Sequence, residues 1–409
     1  MHPTASRYAY DQPHQMQPLM PGEHRLDALR PRAAQVIAES AGLAAQGMPR
    51  LRALLREALR PMNSYYTNKI EGQHTEPLLI EQAMQRDFSS KPDEARRQRI
   101  ALAHIETERW SEAAWPHFDS ARHFAPDTIR AIHRHLHAQL HPDDLQQKDD
   151  ENRLIAVDPG EWRNQGVQVG RHIPPDPAAI PAFMDAWQAG YQYARAGETA
   201  LIALGAAHHR LTWIHPFLDG NGRVARLHTH VGLAGLGLTH GLWSPMRGFA
   251  RSQPQYYAAL VEADQPRKGD LDGRGNLSES GLVQFIDYFL DICLDQIGFM
   301  RGMLDLGAFE MRLAQMLAAL AQSADTRFLR AEAAMPLAML GTVDSIDRAR
   351  FKAMTGLAPR TADRLLAELL KIGIVDSPTP RGPLELALPL SLFRWLFPRL
   401  WPEAEATGT

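Results

Sequence analysis

Cysteine is almost absent from this 409-residue chain: Cys293 stands alone. A single thiol excludes an intramolecular disulfide and any multi-cysteine zinc site, and it suits a reducing compartment. An excess of charge is missing too. Forty-four Lys and Arg against 47 Asp and Glu leave a formal charge of -3, so no global basic field draws the chain to nucleic acid or to an acidic membrane, and any polyanion site must be local. Long apolar runs are lacking as well. No stretch reaches 18 apolar residues, and a rich candidate, Leu201 to Ile214, is interrupted by His208, His209 and Arg210. Met1 to Arg25 has four prolines and no apolar core segment, so it reads as a flexible lead-in and not as a signal peptide. The expected location is cytoplasmic.

What is present is an ordinary globular composition, 44% hydrophobic and 22% charged. At roughly 150 residues per domain the length allows two or three domains. No internal repeat is visible. Apolar positions recur at three and four from Leu26 to about Arg86, with Pro61 expected to stop one helix. Further helical patterns run from Glu94 to Ala114, Pro126 to Leu140, Ile180 to Ala196, Ala200 to Ile214, Asn221 to about Leu233, Gln253 to Ala263, Leu282 to Leu290 and Asp295 to Ser323. Between Asp149 and Pro175 glycines and prolines punctuate the chain, and the alternation from Gly166 to Gly170 predicts a short hairpin. Gln265 to Ser280 reads as a polar surface loop, with Asp264 solvated beside it.

The last part reads as a separate unit. A short helix over Ser345 to Met354, a Gly356 turn, a second helix over Arg360 to Lys371 and a hairpin from Ile374 to Leu388 have the order of a winged helix-turn-helix. Seven Lys and Arg between Arg348 and Arg381 against three acidic residues make a local net of +4, modest for a DNA reader. Arg360, Thr361 and Arg364 stand where base-reading residues would, and Arg381 at the wing tip. Protein contact is an equal reading, because Leu390 to Trp401 is rich in exposed-looking Leu, Phe and Trp.

His215-Pro216-Phe217-Leu218-Asp219-Gly220-Asn221-Gly222-Arg223-Val224-Ala225-Arg226 carries the chemistry. Gly220, Asn221 and Gly222 precede a helical pattern, so their N–H groups can converge on an anion, most naturally a phosphate. Arg223 and Arg226 share a helix face and can hold more phosphate oxygens. Asp219 beside a phosphate calls for a bridging hard cation, Mg2+ or Mn2+. His215 supplies a near-neutral base for an attacking hydroxyl. Together they describe metal-assisted transfer from a polyphosphate. The other histidines give no metal cluster by spacing: His208 and His209 are adjacent, and His228 and His230 are two apart, so they diverge on a helix.

The string has all nine specified positions of H-P-F-x-D-G-N-G-R-x-x-R, and the chain resembles the Fic-domain enzymes over roughly Arg50 to Leu290. Flanking segments are similar too: Ala207-His208 and Trp213-Ile214 before the motif, Gly160 to Arg163, Val167 to Gly170 and Ile173 to Pro175 as the flap, and Tyr256 to Leu260 as the helix whose aromatics line the adenine pocket. The resemblance implies transfer of AMP from ATP to a protein hydroxyl with release of pyrophosphate. It implies that His215 deprotonates the Ser, Thr or Tyr target and that Asp219 holds the metal on the α- and β-phosphates. Gly220, Asn221 and Gly222 would cradle those phosphates with Arg223, and Arg226 would pair with the γ-phosphate. Gly222 stands where kinase-like relatives carry Lys. Val167, Gln168, Val169 and Gly170 would clamp the target by strand addition. Of the two tyrosines, Tyr257 is assigned to the pocket and Tyr256 to the core.

Thr67-Asn68-Lys69-Ile70-Glu71-Gly72 is similar to the family's inhibitory pattern S/T-x-x-x-E-G/N. The resemblance implies that Glu71 pairs with Arg226 and displaces the γ-phosphate, and that the same Glu orients water in relatives that remove AMP. The expected architecture is mainly α: a Fic helical core with a short β-hairpin flap, plus a C-terminal winged helix-turn-helix. The segments are a lead-in at 1–25, an N-terminal helical region at 26–105, the catalytic core at 106–300, a connecting helix at 301–325 and the winged unit at 326–409. The expected activity is an autoinhibited protein adenylyltransferase using ATP and Mg2+ or Mn2+. Its partners are a target protein or the chain itself, with a homodimer and DNA contact through the winged helix as open possibilities and no membrane. A DNA-binding regulator that senses nucleotide is the alternative.

Overall fold

A computed structural model describes residues 10–46, 49–148 and 153–401. The protein is mainly α-helical with two small hairpins. Its helices are, in order, α1 (Glu23–Ala44), α2 (Pro49–Ile70), α3 (Pro77–Met84), α4 (Pro92–Ala114), α5 (Ser120–His123) and α6 (Pro126–Ala138). After the β1 (Gln146–Lys148) and β2 (Leu154–Ala156) pair come α7 (Ile180–Tyr191), α8 (Gly197–Ile214), α9 (Asn221–Gly235), α10 (Pro245–Arg251), α11 (Gln253–Asp264), α12 (Glu279–Met303) and α13 (Leu306–Leu320). The remainder is α14 (Ala334–Thr342), α15 (Arg348–Met354), α16 (Pro359–Lys371), β3 (Val375–Asp376), β4 (Glu385–Leu386) and α17 (Leu390–Leu396). Among the described residues no helix is long and apolar enough to cross a membrane. The chain divides into two compact units, one of residues 1–41, 63–240 and 244–296, the other of 42–62, 241–243 and 297–409.

In the first unit α8 is the central helix. It is buried on nearly every side, as a helix apolar all round must be. The three polar residues that interrupt its sequence are paired and so do not expel it from the core. His208 Nδ1 lies 2.8 Å from the Thr229 hydroxyl and its Nε2 2.8 Å from that of Tyr256. His209 Nε2 meets the Leu260 carbonyl and Asp264, and Arg210 donates to the Pro18 and Ala263 carbonyls. Asp264 is therefore a partner of a buried histidine and not a solvated loop residue. Helix α9 packs on α8, and α4 and α6 pack on α9 and on each other. On α6 the inward residues Ile129, Ile132, His133, Leu136 and His137 follow the i, i+3, i+4, i+7, i+8 stripe, so two histidines share the core face with the aliphatics.

Several expected boundaries move. From Tyr10 onward the lead-in is packed: Tyr10 lies on Trp213 with ring centroids 4.8 Å apart, Met16 is buried, and Tyr191 donates to the Leu19 carbonyl. The first nine residues lie outside the described ones. Pro61 does not end α2. A proline inside a helix costs about 3 kcal/mol, and the buried Leu55, Ala58, Leu59, Met62, Tyr65 and Tyr66 around it offset that cost. The run from Leu282 and the run from Asp295 belong to one helix, α12. The break falls at Asp305, whose carboxylate accepts from Ala308 N–H at 2.8 Å and caps α13. Cys293 is buried in α12, where burial raises its thiol pKa.

The strand pair of the first unit is not at 166–170. It is β1 with β2, antiparallel, Gln147 opposite Ile155. The expected hairpin is reduced to one bridge, Val169 with His172, closed over Gly170 at φ +60°. Val169 is exposed, so its alternation with Gln168 meets no core on which a longer ladder could form.

The second unit has a conventional apolar interior: Phe309, Leu313, Leu337, Phe351, Leu365, Leu369, Leu386, Phe393 and Phe397 are buried. Helices α15 and α16 join through Gly356 at φ +66°, and β3 and β4 form an antiparallel pair, Val375 opposite Leu386. Ile346 bridges Leu384. The tail is largely buried and not exposed: Phe393, Leu396, Leu400 and Trp401 face inward and Trp395 alone of its large residues is open.

Candidate active site

His215 caps α8 in the left-handed region, φ 49° and ψ 60°, and its N–H donates to the Leu211 carbonyl. An L-residue held there stores strain, and Arg163 holds the turn in place. Arg163 Nε donates to the His215 carbonyl at 2.8 Å, its N–H to the Pro216 carbonyl, and its Nη1 and Nη2 to the Gln165 and Pro175 carbonyls. One guanidinium thus ties the segment 163–175 to the His215 loop. Burial, with the charges of Arg163 and His172, lowers the His215 pKa to about 4. The imidazole is therefore neutral at pH 7, the state that can take a proton.

Asn221 closes the loop. Its Oδ1 accepts from Phe217 N–H at 2.9 Å and its Nδ2 donates to the Phe217 carbonyl at 2.8 Å. The side chain is used up in this way, which leaves its backbone N–H for an anion. Gly220 caps α9 at φ +78°, with His137 directly against it. Burial alone would raise the Asp219 carboxyl, but Arg223, His137 and the Gly220 N–H together lower it to about 2. It is ionised at any ordinary pH, with Arg223 Nη2 3.0 Å from Oδ2. An ionised carboxylate next to a helix N-terminus and an imidazole fits a divalent cation.

Arg226 is 1% exposed. Its Nε donates to the Thr67 hydroxyl at 2.7 Å, its Nη2 to the Thr67 carbonyl at 3.3 Å and to Glu71 Oε1. Burial opposes the charge, but Glu71 and Tyr256 raise the Arg226 pKa. A side chain at Gly222 would collide with Glu71. The end of α2, with Gly72 at φ +68°, is held by Tyr257, whose hydroxyl donates to the Ile70 carbonyl at 2.9 Å. Tyr257 is 44% exposed, whereas Tyr256 is 1% exposed and buried beside His208 and Arg226.

The structure brings His215, Asp219, Gly220, Asn221, Gly222, Arg223 and Arg226 into one loop and helix start, with Glu71 on Arg226. Gln168, Val169 and Gly170 lie exposed on the 163–175 segment, with Val167 half-buried. In the second unit Arg360 and Arg381 are exposed and Thr361 half-buried. Arg364 lies over the Phe328 ring at 5.6 Å, and Asp363 pairs with Lys352 at 2.9 Å. Sequence reasoning missed Arg163, His133 and His137. Their only signal was position: His133 and His137 fall on the apolar stripe of α6, where a polar residue needs a reason. His230 joins Glu108 and Glu112, which stand one turn apart on α4, with donor atoms within 4.8 Å of one another, an arrangement that the separation of His230 from the two glutamates does not announce.

Residues 123–233 match the Fic/DOC family. Over 122 residues the chain is 34% identical to "Protein adenylyltransferase Fic" of Drosophila mojavensis, which covers 29% of this chain and 23% of that one. A protein of the same description from Drosophila sechellia is 40% identical over 78 residues, 18% of this chain and 16% of that one. The chain thus spans less than a quarter of the length of these curated relatives. The solved structure of a Fic family protein from Desulfovibrio desulfuricans G20 covers 91% of this chain and 98% of that one, with a TM-score of 0.52 and 18% identity. That likeness is one of fold. The sequence similarity to the Fic/DOC family lies in the stretch 123–233.

Proposed function

We propose that the protein is an adenylyltransferase that moves AMP from ATP to a Ser, Thr or Tyr hydroxyl of a protein, and that Glu71 restrains it. The hydroxyl oxygen attacks the α-phosphorus, the bond from that phosphorus to the β-phosphate breaks, pyrophosphate leaves, and the hydroxyl proton passes to neutral His215. The N–H groups of Gly220, Asn221 and Gly222 receive the phosphates at the start of α9. Arg223 adds a guanidinium there, and Tyr257 borders the adenine pocket. Mg2+ or Mn2+ at Asp219 supplies charge neutralisation on the phosphate oxygens. The exposed edge at Val167 to Gly170 docks the target, and the C-terminal unit selects the target or the assembly.

The observation that carries the reading is the Glu71 carboxylate on the buried Arg226, 155 residues away in sequence. A guanidinium already paired with an internal carboxylate has less to offer a γ-phosphate, so ATP binds in a non-productive pose until Glu71 withdraws. In the same reading, Glu71 withdrawn from Arg226 orients water for removal of AMP. With α-labelled ATP and a lysate as acceptor, Glu71→Gly is expected to raise label transfer by roughly tenfold or more, since one charge-assisted bond is worth about 1.5–3 kcal/mol. His215→Ala in that background is expected to lower it by roughly 100- to 10,000-fold. A silent Glu71→Gly protein that labels neither the lysate nor itself would refute the restraint.

A further inference from the structure

The two histidines on the core face of α6 have different hydrogen-bond inventories. Gly160 N–H donates to His133 Nδ1 at 2.8 Å, so His133 carries its proton on Nε2 and donates to the Asp219 carbonyl at 3.1 Å. Both its nitrogens are satisfied. His137 Nδ1 lies 3.1 Å from the His133 carbonyl and must donate to it, which leaves Nε2 a bare lone pair. That atom is buried and has no hydrogen-bond partner among the described residues, and the residue is 1% exposed.

The ring points at the motif. A Cβ built on Gly220 would lie 2.9 Å from Nε2 and would collide with Cε1. Asp219 immediately precedes Gly220, and His133, one turn before His137 on α6, donates to the Asp219 carbonyl. An unpaired buried acceptor is destabilising, and an aliphatic residue would fill the same stripe position without that cost.

We propose that His137 Nε2 is a nitrogen ligand for the divalent cation at Asp219, which makes the centre a mixed carboxylate and imidazole site. This rests on the reading of Asp219 as the cation residue. A neutral imidazole acceptor suits Mn2+ and later first-row cations better than Mg2+, which prefers oxygen. The centre therefore favours Mn2+ over Mg2+ more strongly than an all-oxygen site would.

The test uses the full chain carrying Glu71→Gly and His215→Ala, loaded with ATP and Mn2+, and pulsed electron paramagnetic resonance on the Mn2+. The expected result is nitrogen modulation from a coordinated imidazole, lost in both His137→Leu and His137→Asn. Mn2+ affinity should fall roughly tenfold in those variants, the scale expected when a metal-site contact is removed, and Mg2+ affinity less. Mn2+ that binds in an Asp219-dependent way without nitrogen modulation overturns the proposal and leaves the Asp219 site standing. Modulation that persists in either folded His137 variant overturns it in the same way. Absence of any Asp219-dependent Mn2+ binding overturns both.

Discussion

Among the described residues every histidine falls in the unit that holds the His215 loop, and none in the unit of residues 42–62, 241–243 and 297–409. The contrast extends to the interiors. In the first unit His104, His133, His137, His208, His209, His228, Arg210, Arg223 and Arg226 are buried; the buried residues of the second are mainly aliphatic and aromatic, with Arg60, Thr355 and Glu368 as polar exceptions. An apolar interior is the cheaper way to build a core. The first unit accepts polar groups at depth and holds them neutral or paired, whereas the interior of the second is mostly apolar packing.

The largest effect that would sharpen this contrast is acid. Burial holds His104, His123, His133 and His208 well below the ordinary histidine pKa and His137, His215 and His228 at about 4. Between those values and about 6.5 the unfolded chain binds more protons than the folded one. The stability these groups contribute is complete above about pH 6.5 and is lost as pH falls through their lowered pKa values. Hydrogen exchange at pH 7 and pH 5 should show peptides from 63–240 losing protection ahead of peptides from 297–401. Equal loss in the two would remove the contrast.

A smaller effect comes from the apolar unit. Leu365 is buried on α16, and Leu365→Ala should weaken protection of 297–401 by about 2–5 kcal/mol. The loss should be the same at pH 7 and pH 5, since no histidine reports there; a pH-dependent loss would mean that the two interiors are not as distinct as their composition. Smallest of all, Arg360→Ala should change protection by about 0.5 kcal/mol or less, as expected of an exposed side chain. A change of several times that size would point to a structural contact for Arg360 that its exposure does not suggest.

The helices were largely legible because apolar spacing reports directly on burial, as on α6, α9 and α16. The misses share a cause. Pro61 looks like an interruption by local propensity, yet packing on both sides of it overrides that. The alternation at Val167 to Val169 looks like a strand, yet no second layer lies beneath it. Tyr256 and Tyr257 are neighbours with identical chemistry, and their helical phase against α8 and the end of α2 puts one inside and leaves the other with its hydroxyl on Ile70.

By itself the sequence determined the short-range frame of the loop from His215 to Arg226, whose local contacts lie within a helical turn or a tight reversal: Asn221 on Phe217, Arg223 on Asp219, Gly220 at a positive φ. Only the tertiary structure decided what faces that loop. Glu71 meets Arg226 across 155 residues, Arg163 grips the His215 carbonyl, and His137 turns its bare nitrogen toward Gly220. Spacing along the chain fixes neighbours one or two turns away, but which distant side chain arrives opposite them depends on how whole helices pack.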